Sequence, residues 1–449
     1  MASPSLSRTM SLPSTQTYDH GAARTIKQLF WLYVLLLIFE GALRKWFLPG
    51  LATPLLIARD PVALLILLQA AASRFRVLNP YTLVSFAFTI VAFFLALAVG
   101  HQNLMVDIFG ARITALHFPL IFVLGQVLTR DDVLQVGRFI LWLVIPMVIL
   151  IGIQFYSPQS AWVNRGVGGD MEGAGFSGAM GYFRPPGTFS FTIGVTLFFD
   201  LAASFVAYFW ISRKHEISSL LLLVATAGVL LAIPLSLSRG YVFQLGITIA
   251  FLLIASFRSG RSFGRIVIFL LVLPPALLIM YQFPFFQTSI DVLLTRFTLA
   301  AKSEGGSIEG TLMTRFLGGN LGAINNSTRE GLWGFGMGMG TNVGSKLISG
   351  ELVFLVGENE WQRVMGEFGP FIGIIAIGTR VVLAIHLMLK SLATLLTNSD
   401  ALPWILLSFG LVQIVYGQWG PPTILGFGIL TASLIVAAIN DPYTENQDA

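Results

Sequence analysis

The chain contains no cysteine. That excludes disulfides, a thiol nucleophile, iron–sulfur clusters and thiolate zinc sites. Its five histidines are scattered and never form an H-x-x-x-H pair, so no metal site of that kind is written into a helix. Charge is scarce as well. Only 11% of the 449 residues are Asp, Glu, Lys or Arg, against about 25% in an ordinary soluble domain. The net charge of +5 is spread along the chain with no basic block, which excludes a nucleic-acid partner tracked by its phosphates. The first 28 residues lack the apolar core and small-residue cleavage site of a signal peptide. No internal repeat is evident, so the inverted-repeat pattern of many secondary transporters is not supported.

What the chain has instead is apolar length: 55% of its residues are hydrophobic, 37 of them Phe. A helix needs roughly 20 apolar residues to cross a bilayer. Runs of that order fall at Leu29–Phe47, Pro54–Ala72, Tyr81–Gly100, Ile108–Leu128, Phe139–Tyr156, Gly187–Trp210, Ile217–Leu237, Tyr241–Phe257, Ile266–Phe283, Pro370–Leu389, Leu402–Gln418 and Pro421–Ile439. The expected fold is an all-α polytopic membrane protein of about twelve spans. Residues 1–28 read as a disordered cytoplasmic tail, 29–283 as spans one to nine, 284–369 as a large outer segment holding short helices, 370–439 as the last three spans, and 440–449 as a second cytoplasmic tail.

Cytoplasmic loops keep an excess of Lys and Arg. Both termini inside places Arg74, Arg76, Arg130, Arg138, Arg213, Lys214, Arg258, Arg261, Arg265 and Lys390 on that side. Arg44 and Lys45 fit poorly, at the outer end of the first span.

Ionisable groups inside a bilayer mark a function or a buried pair. Arg59, Asp60, Arg112, His117, Asp200 and Arg380 fall within spans, and Glu40 and Arg44 stand four apart on one helix face. Such groups can fix helix packing, or Arg59 can line the path of an anionic substrate. More specific motifs lie at the outer side. Phe183-Arg184-Pro185-Pro186-Gly187-Thr188-Phe189 enters the sixth span, and Ser238-Arg239-Gly240 turns tightly between the seventh and eighth. The long segment carries Arg315, then the glycine-alternating run Leu332 to Gly340, then Gly357-Glu358-Asn359-Glu360-Trp361-Gln362-Arg363 ahead of Gly369-Pro370. The alternating glycines are no nucleotide loop, because no Gly-Lys-Ser/Thr follows. They let backbone approach a ligand or a neighbouring helix closely.

The order and placement of these motifs resembles the O-antigen ligase/polymerase superfamily of integral-membrane, GT-C-type glycosyltransferases. The resemblance covers nearly the whole chain: Arg184 before Gly-Thr-Phe, Ser-Arg-Gly at Arg239, an early loop arginine at Arg315, the glycine run, and a pair before the tenth span. In the family that pair is His-Asn; here it is Glu358-Asn359, a departure that leans towards a polymerase rather than a ligase. What the resemblance implies is transfer of a glycan from a polyprenyl-pyrophosphate carrier to an acceptor sugar, without cofactor or metal, at the outer face of a bacterial inner membrane. Arg239 and Arg315 would stabilise the leaving pyrophosphate and Glu358 would act as base, with Arg184, Asn359, Glu360, Arg363 and Arg59 binding substrate. The partners would be the lipid-linked donor, the glycan acceptor, membrane lipids and other polysaccharide-assembly proteins. The alternatives are a ligase joining polymer to lipid A core and, from another class, a secondary transporter or a flippase for lipid-linked glycans.

Because no native cysteine interferes, introduced cysteines report topology directly. Cysteine at Ser307 or Ser345 should react with an impermeant thiol reagent in intact cells, and cysteine at Ser259 or Ser399 should not. The opposite labelling pattern would invert the proposed orientation.

Overall fold

A computed structural model describes residues 20–212, 216–256, 278–303, 332–351, 355–357 and 359–441, with the single residues 264, 275 and 322. The helices are α1 (His20–Ala42), α2 (Arg59–Ala72), α3 (Pro80–Ala98), α4 (Leu104–Ala111), α5 (Leu120–Val127), α6 (Arg130–Tyr156), α7 (Ile193–Ile211), α8 (Ser219–Ser236), α9 (Arg239–Ser256), α10 (Pro284–Ser303), α11 (Asn342–Ser349), α12 (Glu360–Asn398), α13 (Leu402–Val415) and α14 (Pro422–Asn440). A π-helical turn, Leu43–Phe47, extends α1, and another, Arg112–His117, joins α4 towards α5. Ten helical stretches among the described residues are long and apolar enough to cross a membrane, and the shorter α13 is apolar too. The protein is thus a helical multi-pass membrane protein. Most of the expected ninth span, Ile266–Phe283, lies outside the described residues.

Helices α7 and α14 are almost wholly buried, whereas α2 turns most of its surface outward. Small residues let α14 pack closely against α5 and α13. Gly125 of α5 lies against Val436, and Gly410 of α13 against Ile435 and Thr431. Close backbone approach of this kind replaces the hydrophobic drive that lipid cannot supply.

Three expectations from sequence are corrected. The first helix begins at His20 rather than Leu29, because Ala22, Ile26 and Phe30 are buried at helical spacing and Lys27 pairs with Asp132 at 2.6 Å. The last-but-one run ends at Val415 rather than Gln418. Arg380 of α12 donates to Ile414 O and to Gly417 O, both at 2.7 Å, and so satisfies carbonyls that a helix ending inside the membrane would leave bare. The segment before α7 contributes a small antiparallel hairpin, Phe176–Ser177 against Phe183–Arg184, with Phe176 opposite Arg184.

Both ends of the described chain lie at one end of the bundle. Lys27 meets Asp132, the Arg130 amide donates to Asp441 Oδ2 at 3.1 Å, and the Arg130 side chain meets Asp400 at 2.5 Å. The hairpin, the α8–α9 turn, α10 and the glycine run gather at the other end. There α12 kinks at Gly369 (φ 71°, ψ 174°), followed by Pro370. The glycine run docks on this kink: Phe335 N donates to Gly366 O at 2.7 Å and Gly336 N to Glu367 O at 3.1 Å. A Cβ on Gly369 would lie 2.5 Å from Leu332 O, and one on Gly338 only 2.1 Å from Val106 O of α4. The glycines therefore serve close contact between protein segments.

Ser345 is buried, with its hydroxyl on Glu351 O at 2.6 Å, so Lys346, which is exposed, is the better labelling position on α11. Gly369→Ala should lower the thermal midpoint of the detergent-purified protein, by an amount corresponding to about 1–3 kcal/mol of backbone strain. Gly378→Ala, with open space around the site, should leave it unchanged. Equal midpoints for the two variants would remove the kink from the account.

Candidate functional site

Three arginines from distant segments meet at the end of the bundle that holds the hairpin. Arg239 opens α9 directly after a turn in which Leu237 is left-handed (φ 51°, ψ 26°). That turn is braced from several sides. Ser238 Oγ caps α9 by accepting from Tyr241 N at 3.3 Å and also accepts from Thr196 Oγ1 of α7 at 3.0 Å. Arg184 ends the hairpin, and the chain beyond it is pinned at Gly187. The Gly187 amide donates to Gln154 Oε1 at 2.7 Å, and its carbonyl accepts from Lys45 Nζ at 2.6 Å. Arg296 projects from α10 and donates through its guanidinium to Leu237 O, tying α10 to the turn that carries Arg239.

The electrostatics of this cluster are those of crowded like charges. Burial first, then repulsion from Arg296 and Arg239, pushes the Arg184 guanidinium down to about 10. Burial and the Arg239 charge lower Arg296 in the same direction. Among the described residues no carboxylate pairs with Arg184 or Arg296, and Arg184 Nε is buried without a hydrogen-bond partner. Planar guanidinium forks arranged this way suit phosphate-type anions, which they bind bidentately. Arg296 was not singled out in the sequence. The available signal was a lone cation inside the apolar stretch Ile290–Leu299.

The other expected site residues go elsewhere. Glu360, in the first turn of α12, is buried and saturated. It accepts from Arg363 Nε at 2.9 Å and Nη2 at 2.8 Å, from Arg380, and from the Trp419 amide at 3.2 Å. Arg363 spends its remaining nitrogen on Glu367 Oε2 at 2.6 Å, while Glu367 Oε1 accepts from Gly340 N at 2.8 Å. Trp419 covers Arg380, whose guanidinium carbon lies 3.9 Å from the ring centre. The adjoining cavity, between Phe88, Thr114 and Trp419, holds about 30 Å³, which is room for about one water and not for a sugar. Asn359 stands at the N-cap of α12 and hydrogen-bonds through its carbonyl to Arg363 N at 2.9 Å.

Arg59 belongs to a third group. It is 3% exposed and donates to Pro422 O at 2.6 Å, to Glu40 Oε2 at 3.4 Å and to Tyr33 OH at 3.5 Å. Glu40 also takes Arg44 at 3.3 Å, the i,i+4 pair expected from sequence. Asp60 accepts from Arg112 at 2.8 Å and meets His117 Nε2 at 2.9 Å, and the other ring nitrogen of His117 meets Tyr33 OH at 3.1 Å. Asp200 is buried in α7 with Oδ1 unpartnered among the described residues. The remaining expected catalytic residues, Arg315 and Glu358, lie outside the described residues.

No family model matches this chain, and neither a curated protein nor a solved structure matches it.

Glu360→Gln should unfold the protein more readily, because two arginines would stay buried with half their counter-charge gone. Breaking a buried pair from one side costs about 3–5 kcal/mol. A thermal melt of the purified variant checks this, and a midpoint equal to the parent would mean that Glu360 is not holding the two arginines.

Proposed function

We propose that this protein is a membrane glycosyltransferase that polymerises oligosaccharide repeat units carried on polyprenyl pyrophosphate, working at the outer face of a bacterial inner membrane with both termini in the cytoplasm. The acceptor hydroxyl attacks the anomeric carbon of the donor. The bond from that carbon to the pyrophosphate oxygen breaks, the pyrophosphate-linked lipid leaves with the extra negative charge, and the hydroxyl proton passes to a base. Guanidinium groups already aimed at the leaving group stabilise that developing charge without a metal.

The observation that carries this reading is the convergence of Arg184, Arg239 and Arg296 at one end of the bundle, with no carboxylate paired to Arg184 or Arg296 among the described residues. Repulsion among these guanidinium groups disfavours their approach, and a bound pyrophosphate would supply the balancing charge for Arg184 and Arg296. Arg315 adds a fourth guanidinium in this assignment, and Glu358 is the base. Asn359 holds the acceptor beside it. Glu360 and Arg363, paired with each other, shape the wall behind the acceptor rather than touch it, and Arg59 braces the helices below. Asp200 apart, the intramembrane charges named here favour this reading over a transporter. Glu40, Arg59, Asp60 and Arg112 are engaged with one another or with backbone, and a transport site needs groups free to take a substrate.

The test is polymer formation in proteoliposomes from purified lipid-linked donor. Arg239→Ala and Arg184→Ala should each slow turnover about a hundred- to a thousand-fold, corresponding to roughly 3–4 kcal/mol of lost transition-state contact. Lysine should rescue poorly, because a point charge lacks the fork. Full activity in both alanine variants would sink the proposal.

A further inference from the structure

At the end of the bundle opposite the arginine cluster, α12 turns an unusual stripe outward. Val382, Ile385 and Leu389 are exposed and apolar, His386 and Lys390 are exposed one turn apart, and with Ala393 they line one open groove. An outward face on a membrane-spanning helix meets lipid, where ionisable side chains are costly unless they reach the headgroups or find a counter-charge. Counted from Pro370, Lys390 stands about 30 Å along the helix at 1.5 Å per residue. That is roughly one hydrocarbon thickness, so Lys390 reaches headgroup level and His386 lies a turn below it.

The histidine is not a loose surface group. Tyr81, at the start of α3, hydrogen-bonds through its hydroxyl to His386 Nδ1 at 2.8 Å. Tyr81 in turn stacks almost flat on Phe122, with ring centres 5.6 Å apart and planes 6° apart. With Nδ1 engaged, Nε2 has no partner among the described residues, and no carboxylate among them pairs with His386 or Lys390. A preset imidazole and an unpaired ammonium therefore stand above an apolar trough, an arrangement complementary to an amphiphile with an anionic head.

We propose that this groove is a binding site for an anionic phospholipid, with an acyl chain along Val382, Ile385 and Leu389 and the headgroup phosphate held by Lys390 and His386. The site is remote from the arginine cluster and does not depend on the glycosyltransferase reading. Positive side chains that flank a span hold anionic lipid at the membrane surface, and here Tyr81 and the groove add a fixed geometry.

Native mass spectrometry of the full-length protein, titrated with dioleoyl-phosphatidylglycerol, dioleoyl-phosphatidylcholine or glycerol 3-phosphate, tests the proposal. Phosphatidylglycerol should be retained at least about tenfold more tightly than phosphatidylcholine. The double variant His386→Gln, Lys390→Gln should lose that preference. Leu389→Trp, which fills the trough and keeps both cations, should reduce occupancy by either lipid. Size-exclusion chromatography confirms that each variant is folded, and all three substitutions are on an exposed face. Equal retention of the two lipids by the parent, an undiminished preference in the double variant, or competition by glycerol 3-phosphate at the lipid's own concentration would each overturn the assignment.

Discussion

Glu360, a buried carboxylate, accepts hydrogen bonds from two arginines and a backbone amide at once. A charge in that setting must be neutralised and hydrogen-bonded by other parts of the chain. The partners it recruits come from different places. Arg363 stands on the same helix turn, Arg380 lies about three turns beyond the kink of α12, and Trp419 sits in the connection between α13 and α14. Through Glu367 the same network takes the amide of Gly340 and so fixes the glycine run. One set of charge pairs thereby links the first turn of α12, the carbonyls at the end of α13 and the glycine run that precedes α12.

The arginine cluster at the same end of the bundle is built on the opposite plan. There the charges are alike, Arg296 donates to the carbonyl of Leu237, and the guanidinium of Arg184 is left partly unpartnered among the described residues. A network whose charges are matched stabilises a fold, whereas Arg184 and Arg296, with no carboxylate paired to them among the described residues, favour an anion beside them. The two arrangements lie on neighbouring elements of one face, the first a scaffold and the second, on the proposed reading, the place where pyrophosphate departs.

Much of this architecture is legible in the residues. Apolar run lengths mark the spans, and the cation bias agrees with an arrangement in which Lys27, Arg130 and Asp441 share one end. The misfit of Arg44 and Lys45 in that bias has a local cause. Arg44 is committed to Glu40, to Ala52 O at 2.7 Å and to Ser190 Oγ at 3.0 Å, and Lys45 to Gly187 O, so neither acts as a topological signal. The tight Ser-Arg-Gly turn is readable in the sequence because a short connection between two apolar runs constrains where its side chain can be.

The sequence alone determined the class, helices long and apolar enough to cross a bilayer, since the length of an apolar run is a local property of the chain. Only the tertiary structure decided which charges are paired with one another and which have no paired carboxylate among the described residues. Glu360 and Arg363 read from sequence as a substrate-binding pair, and folding closes them on each other. Arg296 read as part of an apolar stretch, and folding delivers it to Arg184 and Arg239. The reason is that the decisive neighbours come from separate segments: Arg380 and Trp419 reach Glu360 from 20 and 59 residues away, and Arg184, Arg239 and Arg296 stand on three different elements, so no local pattern encodes those distances until the helices pack.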